Sequence, residues 1–282
     1  MENNNSFQTT ITARNGWFDI NLTELWRYRD LVLMFVKRSF IAMYKQTILG
    51  PAWAIIQPLL TTVVFTIVFG RLAKLPTDGV PPFLFYMCGN VTWGYFSGCL
   101  NATGTTFTQN AGIFGKVYFP RLVMPLSAVL TQLISFAIQF VFFIGFLTYF
   151  SILNHTVYLN SQVFLLPLLL LQMALLGLGC GIIVSALTTK YRDLAMLVSF
   201  GIQLWMYATP VVYPLTMVPE RWQKLYMLNP MVTIIETSRN IFFNTGSLRL
   251  ADYAVSWGIT VSLLIIGIVL FSKVEKTFMD TV

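Results

Sequence analysis

Five cations, Arg27, Arg29, Lys37, Arg38 and Lys45, crowd residues 27–45 and form the densest positive cluster of the chain. Arginine offers paired donors that match phosphate oxygens, and the same residues suit anionic headgroups at a membrane boundary. Glu236 and Arg239 stand three apart, close enough to pair on one helix face. Groups for covalent chemistry are harder to find. His155 is the only histidine and has no Cys, Asp or Glu within ten residues, so a solvated loop histidine is the plainer reading than a metal ligand. Cys88, Cys99 and Cys180 fall in apolar stretches and read as small buried hydrophobes, not a disulfide framework. The segment Gly112-Ile113-Phe114-Gly115-Lys116-Val117 lacks the first glycine of a nucleotide-binding P-loop and has Val where Ser or Thr should hold magnesium. There is no Gly-x-Ser-x-Gly and no His-Glu-x-x-His. Any ATP hydrolysis is therefore expected from another polypeptide, and no metal or cofactor is expected in this one.

The elements that carry these residues are set by hydropathy. Hydrophobic residues make up 56% of the 282 positions and charged ones 10%. Ordinary soluble domains carry more than twice that share of charge. Mean hydropathy is +0.69. The stretch from 122 to 189 contains no Asp, Glu, Lys or Arg. As one helix it would reach roughly 100 Å, whereas a hydrocarbon core about 30 Å thick takes about 20 residues. The chain must cross and return, with the polar break Ser151–Thr156 as the hairpin tip. The fold class is all-α and polytopic. The polar start, Met1–Ser6, lacks the cationic and apolar regions of a cleavable signal peptide.

Six spans are expected, at about 48–70, 83–107, 122–150, 163–187, 194–212 and 253–272, making residues 47–282 a transmembrane domain. Residues 1–46 form an N-terminal part. In it, Phe18, Leu22, Leu25 and Trp26 repeat on one face of a helix over 17–29 that suits the headgroup plane, and residues 30–46 form a second, cationic helix too charged to span. Residues 214–248 are half apolar yet carry charges, and neither half is long enough to cross. Asn229-Pro230 is a helix start, with Asn as cap and Pro at the first position. Two short re-entrant helices are expected there, viable only where protein or a water-filled cavity surrounds them. With six spans both termini share a side, which then holds 12 cations against 6 on the other, so the termini are expected in the cytoplasm.

That topology puts residues 108–121 in the cytoplasm. A solvated turn with a lipid-touching Phe is one reading of it. Exposed Ile113, Phe114, Val117 and Tyr118 are a liability on a bare loop, however, which favours a short helix docking into a groove of a cytoplasmic partner.

Tyr44-Lys45-Gln46-Thr47-Ile48-Leu49-Gly50-Pro51-Ala52-Trp53, followed by Gln57-Pro58, resembles the start of the first span in permeases of bacterial polysaccharide ABC exporters. Lys190-Tyr191-Arg192-Asp193-Leu194, Thr209-Pro210-Val211-Val212-Tyr213-Pro214 and Leu228-Asn229-Pro230 are similar to the same type 2, Wzm-like family, over most of residues 17–275. The resemblance implies a homodimeric channel walled by the first, second and fifth spans, with two copies of a cytoplasmic ATPase that use ATP and Mg2+. It assigns 30–46 as an interface helix and 109–120 as a coupling helix, with Asn110, Ile113, Phe114, Lys116, Val117, Tyr118, Arg192 and Asp193 facing the ATPase. It makes the re-entrant pair an outer gate built on Pro210, Tyr213, Pro214, Asn229, Pro230, Glu236 and Arg239. The implied cargo is a glycan on an undecaprenyl pyrophosphate carrier in a bacterial inner membrane, and the N-terminal cations become candidates for its pyrophosphate. No nucleic acid partner is implied.

Aromatic rings stack on the apolar faces of sugars and let a polymer slide on many weak contacts. Tyr86, Trp93, Tyr95 and Phe96 of the second span and Trp205 and Tyr207 of the fifth are candidates to line a channel, against the alternative of interfacial belt and helix packing. Trp93 and Tyr95 point apart on a helix, so one lumen does not take both. Two other functions stay open: a type 2 permease for a small amphiphile, drug or lipid, and an integral membrane transferase. The transferase lacks an ionisable cluster at membrane depth.

Overall fold

The computed structural model describes residues 22–45, 47–114, 116–117, 119–154, 161–191, 193–246 and 249–281. All regular structure among them is helical. The helices are α1 (Leu22–Arg27), α2 (Arg29–Tyr44), α3 (Trp53–Phe65), α4 (Pro82–Gly104), α5 (Thr106–Phe114), α6 (Val123–Asn154), α7 (Leu166–Lys190), α8 (Leu194–Tyr207), α9 (Glu220–Tyr226), α10 (Pro230–Phe243) and α11 (Leu250–Thr281). A π-helical stretch, Thr66–Leu72, continues α3.

Among the described residues four helices are long and apolar enough to cross a membrane: Gly50–Leu72, Val123–Leu153, Gln162–Thr189 and Leu250–Lys273. The other two expected spans depart from that criterion for different reasons. α4, with 23 residues, has the length but includes Asn90, Thr92, Ser97 and Asn101. It tolerates them because it runs through the middle of the bundle, with every residue from Leu84 to Trp93 buried. α8 stops at Tyr207 after 14 residues, short of a full crossing. Pro210 and Pro214 follow, and neither can continue a helix without losing a backbone bond.

The bundle is held by close approach and a little polar glue, since lipid removes the usual hydrophobic drive between helices. A Cβ on Gly181 of α7 would sit 2.5 Å from the Thr103 Cβ of α4, and one on Gly267 of α11 would sit 2.7 Å from the Gly179 carbonyl oxygen. Both seams exist only because those positions lack side chains. Gln172 of α7, fully buried, donates from Nε2 to Ser256 Oγ of α11 at 2.7 Å.

Two ends of the bundle differ. At one, Val32, Phe35 and Val36 of α2 pack with Phe107 and Phe114 of α5, Val123 and Met124 of α6, and Phe271 of α11. At the other lie residues 73–81, α9, α10 and the end of α6, where Phe143 meets Phe242 edge-on at 4.9 Å. Of the expected headgroup-plane helix, Phe18 lies outside the described residues; α1 ends at Arg27, and Trp26 is 69% exposed.

Candidate gate and docking surfaces

Arg239 organises the second end. Asn229 starts α10, its Oδ1 accepting from Met231 N at 3.1 Å, with Pro230 at the first position, and Asn244 ends it at φ +55. The helix so placed carries Arg239 into the interior, 2% exposed. Its Nη1 donates to Glu236 Oε1 at 3.1 Å and its Nη2 to the Val211 carbonyl at 3.1 Å; Nη1 also lies 3.5 Å from the Tyr213 carbonyl. The guanidinium rests 3.7 Å from the centre of the Phe85 ring on α4. Burial pushes the Glu236 carboxyl above its ordinary pKa, and the Arg239 charge opposes that. Backbone in the Thr209–Pro214 break has lost helical partners, and a buried carbonyl without a donor is costly. Arg239 supplies donors to two of them.

The rest of the break is tied nearby. Asn229 Nδ2 donates to Thr209 Oγ1 at 3.1 Å, and Tyr213 Oη donates to the Tyr207 carbonyl at 2.9 Å while lying 2.8 Å from Tyr226 Oη. Thr216 Oγ1 reaches Asp78 Oδ1 in the opposite loop at 3.2 Å. Tyr213, Glu236 and Arg239 thus join in one cluster, with Asn229 and Pro230 at the α10 start and Pro210 and Pro214 in the break that it braces. Beside it an open depression of about 470 Å³ lies between Trp205 of α8, Ala208 just after it, Trp222 and Tyr226 of α9, and Pro230.

The aromatic candidates divide. Tyr86 and Phe96 have no exposed surface, Tyr95 3% and Trp93 6%. These four are packed inside the bundle: Phe96 meets Trp205 edge-on at 5.1 Å, and Tyr95 meets Phe136 at 5.1 Å. Position along a span gives depth and not azimuth, and α4 turns its rings toward α3, α6 and α8. Only Trp205, half-buried at the depression, and Tyr207, half exposed, reach a surface. The less buried residues of α4 are instead Gly94, Ser97, Gly98 and Asn101, with Gly98 so close to α6 that a Cβ there would sit 2.7 Å from Gln132 Oε1. Their spacing of three and four marks a helix face, but small polar residues are a fainter signal than the rings beside them.

At the first end the loop after α4 folds as a helix with bounds other than those expected: α5 runs Thr106–Phe114 and not 109–120. Phe114 is not an exposed docking finger. It is 5% exposed, held by Phe107 at 5.8 Å, Phe119 at 5.7 Å and the Arg121 guanidinium at 5.8 Å. Asn110 Nδ2 bonds the Thr106 carbonyl at 2.9 Å and Ile113 is half-buried. Lys116 and Val117 do project outward, as do Thr108, Gln109 and Gly112, and Asp193 is exposed. Tyr118 and Arg192 lie outside the described residues. Arg27, Arg29, Lys37, Arg38 and Lys45 are all exposed, with the Arg29 guanidinium 5.6 Å over the Trp26 ring and Arg29 Nε 4.0 Å from Asp30 Oδ1. Among the described residues no group of His, Cys, Asp and Glu could hold a metal ion.

A helical bundle with several helices long and apolar enough to cross a membrane is the build of a multi-pass membrane protein. The family profile for the ABC-2 type transporter matches residues 30–243, and the chain belongs to that family. It is a transporter subunit and not an enzyme. Among curated proteins it is similar to an O-antigen export system permease protein of Klebsiella pneumoniae, 28% identical over 251 residues, covering 89% of this chain and 94% of that one. A protein of the same description in Myxococcus xanthus is 29% identical over 225 residues, 78% of this chain and 83% of its own length.

Proposed function

We propose that the chain forms half of a homodimeric channel that carries undecaprenyl-pyrophosphate-linked polysaccharide outward across the inner membrane, driven by two copies of a separate ATPase that uses ATP and Mg2+. The observation that carries this reading is the nearly end-to-end likeness to permeases described as exporting O-antigen. Six crossings with cytoplasmic termini, α4 and α8 completing the four apolar spans, accord with the cation excess on that side. α5 and the cationic α2 meet at one end, which suits an ATPase docking there on Thr108, Gln109, Lys116, Val117 and Asp193. The exposed cations beside it have the chemistry to meet the carrier's pyrophosphate or anionic headgroups. The Arg239 cluster at the opposite end serves as the outer gate, and Trp205 and Tyr207 are the rings left to touch sugar.

Deleting the gene should leave lipid-linked glycan accumulating inside the cell. Normal surface glycan in the deletion strain, or altered glycan structure without intracellular accumulation, refutes the reading. Copurification with an ABC ATPase from the same cell, and ATP turnover that responds to purified lipid-linked glycan, separates this cargo from a small amphiphile.

A further inference from the structure

α4 and α6 meet along a seam unlike the rest of the bundle. Gly94 and Gly98 of α4 leave two notches, and Gln139 and Gln132 of α6 reach into them. A Cβ on Gly94 would sit 3.7 Å from Gln139 Oε1, and one on Gly98 would sit 2.7 Å from Gln132 Oε1. Ser97 and Asn101 share that face of α4 by helical spacing. On α6, Ser135 falls between the glutamines on their face, its hydroxyl 3.4 Å from Tyr44 Oη of α2.

Both glutamines lie deep. They stand nine and sixteen residues into the span Val123–Leu153. That span is roughly 45 Å long against a core about 30 Å thick, so both fall inside the hydrocarbon when the excess is shared between its ends. A primary amide has two donors and an acceptor to satisfy, and lipid tails satisfy none of them. Gln172 shows one solution, fully buried in the bundle and bonded to Ser256. Gln132 and Gln139 do not follow it. Each is only half-buried, as are Gly94, Ser97 and Gly98, and Asn101 is exposed. Among the described residues the amides of Gln132, Gln139 and Asn101 make no side-chain hydrogen bond. Ile134 and Val141, each two residues beyond a glutamine and about 200° around the helix, are 36% and 68% exposed. At one depth, α6 thus shows aliphatic chains to one side and free amides to the other, and the two sides meet different solvents.

We infer that the α4–α6 seam is a water-filled groove in the wall of the conduit, and that Gln132 and Gln139 hydrogen-bond the hydroxyls of the passing glycan. The wall implied by the family resemblance comes from the first, second and fifth spans, whereas these two amides stand on the third. Being neutral, they serve the hydroxyls of neutral and acidic sugars alike. Standing about 10 Å apart along the helix, they are released and refilled one at a time as the polymer advances. Trp205 and Tyr207 offer ring faces; the glutamines supply the polar half of the contact. That the cargo is a glycan rests on the function proposed above; that the groove is wet does not.

Single cysteines test it in the exporter complex purified in lipid nanodiscs, with native Cys88, Cys99 and Cys180, buried or half-buried, setting the background. A thiol reacts as its thiolate, which forms in water and not in hydrocarbon. Gln132→Cys and Gln139→Cys should be labelled to completion by a charged, membrane-impermeant thiol reagent, while Ile134→Cys and Val141→Cys stay at background. Purified lipid-linked glycan with ATP should slow labelling of the first pair. Equal labelling of both faces, background labelling at 132 and 139, or a disulfide joining two copies through either position overturns the groove. Export in cells supplies the second arm. Gln132→Leu and Gln139→Leu should each lower it about two- to tenfold at normal abundance, the worth of one hydrogen bond, and Gln132→Asn, which keeps the amide, should lower it less. Labelled positions whose Leu variants export normally overturn the sugar contact. Labelled positions in a complex that moves a cargo other than glycan leave the groove standing and overturn the proposed function instead.

Discussion

The two ends of this bundle solve the same problem with different physics. At the first, α2, α5, α6 and α11 meet through rings and aliphatic chains: Phe107 stacks on Phe271 at 4.8 Å, and Phe35 meets Phe119 at 5.9 Å. Such contacts are individually weak and weakly directional, so the interface can slide or repack without losing everything. At the second, ring packing such as Phe143 on Phe242 is joined by one guanidinium serving an ion pair and two backbone carbonyls, directional bonds that do not degrade gradually. A packed end suits a surface that must pass motion to a neighbour; a directional end suits one that must hold a defined shape.

Removing one member of the buried pair gives the largest expected effect. Arg239→Met strands Glu236 and two carbonyls, a loss of about 3–5 kcal/mol for a broken buried pair. Thermal unfolding of the purified protein should show it as a large drop in midpoint, with little protein left in membranes. The double variant Arg239→Met with Glu236→Met removes the stranded charge and should recover part of that, because an apolar replacement of a whole buried pair is often tolerated. A double variant as damaged as the single one would mean that the carbonyl bonds, not the charge, carry the cost.

The packed end should respond far less. Phe107→Leu keeps most of the volume and should cost under about 1.5 kcal/mol. If instead it equals Arg239→Met in the same unfolding measurement, the contrast between the ends is wrong.

Asn229→Ala falls between directional and local effects, removing the α10 cap and the bond to Thr209. A lost cap costs about 1 kcal/mol. Asn229→Asp keeps the acceptor for Met231 N and should be milder by the same measurement. Equal losses would assign the effect to the Thr209 bond, which Asp no longer donates.

What is legible in the sequence follows the same line. The cap and start of α10 can be read because Asn229-Pro230 writes them locally, and Glu236 with Arg239 because three-residue spacing is a helix rule. Arg239's carbonyl acceptors cannot, since a backbone oxygen carries no mark in its residue's identity. Spans are legible as lengths, but hydropathy reports depth and is silent on azimuth, so it does not say that the α4 rings pack against α3, α6 and α8. Phe114 is hidden for a related reason: its neighbours Phe107, Phe119 and Arg121 stand in plain view, and nothing local says that the chain turns back to cover it.

The smallest effect on stability is expected from the residues with the largest expected effect on function. Arg29 and Arg38 are exposed on the packed end. Exposed substitutions away from special features usually change stability little. Arg29→Glu and Arg38→Glu should therefore leave the unfolding midpoint almost unmoved. Each should still weaken attraction to an anionic surface, where a cation is worth about 1 kcal/mol. The readable quantities are export in cells and ATP turnover of the nanodisc complex with and without purified lipid-linked glycan. A variant of normal stability and abundance that loses the glycan response, in nanodiscs of neutral and anionic lipid alike, assigns that arginine to the carrier pyrophosphate. Loss only in anionic nanodiscs assigns it to headgroups, and unchanged export with unchanged turnover removes it from either role.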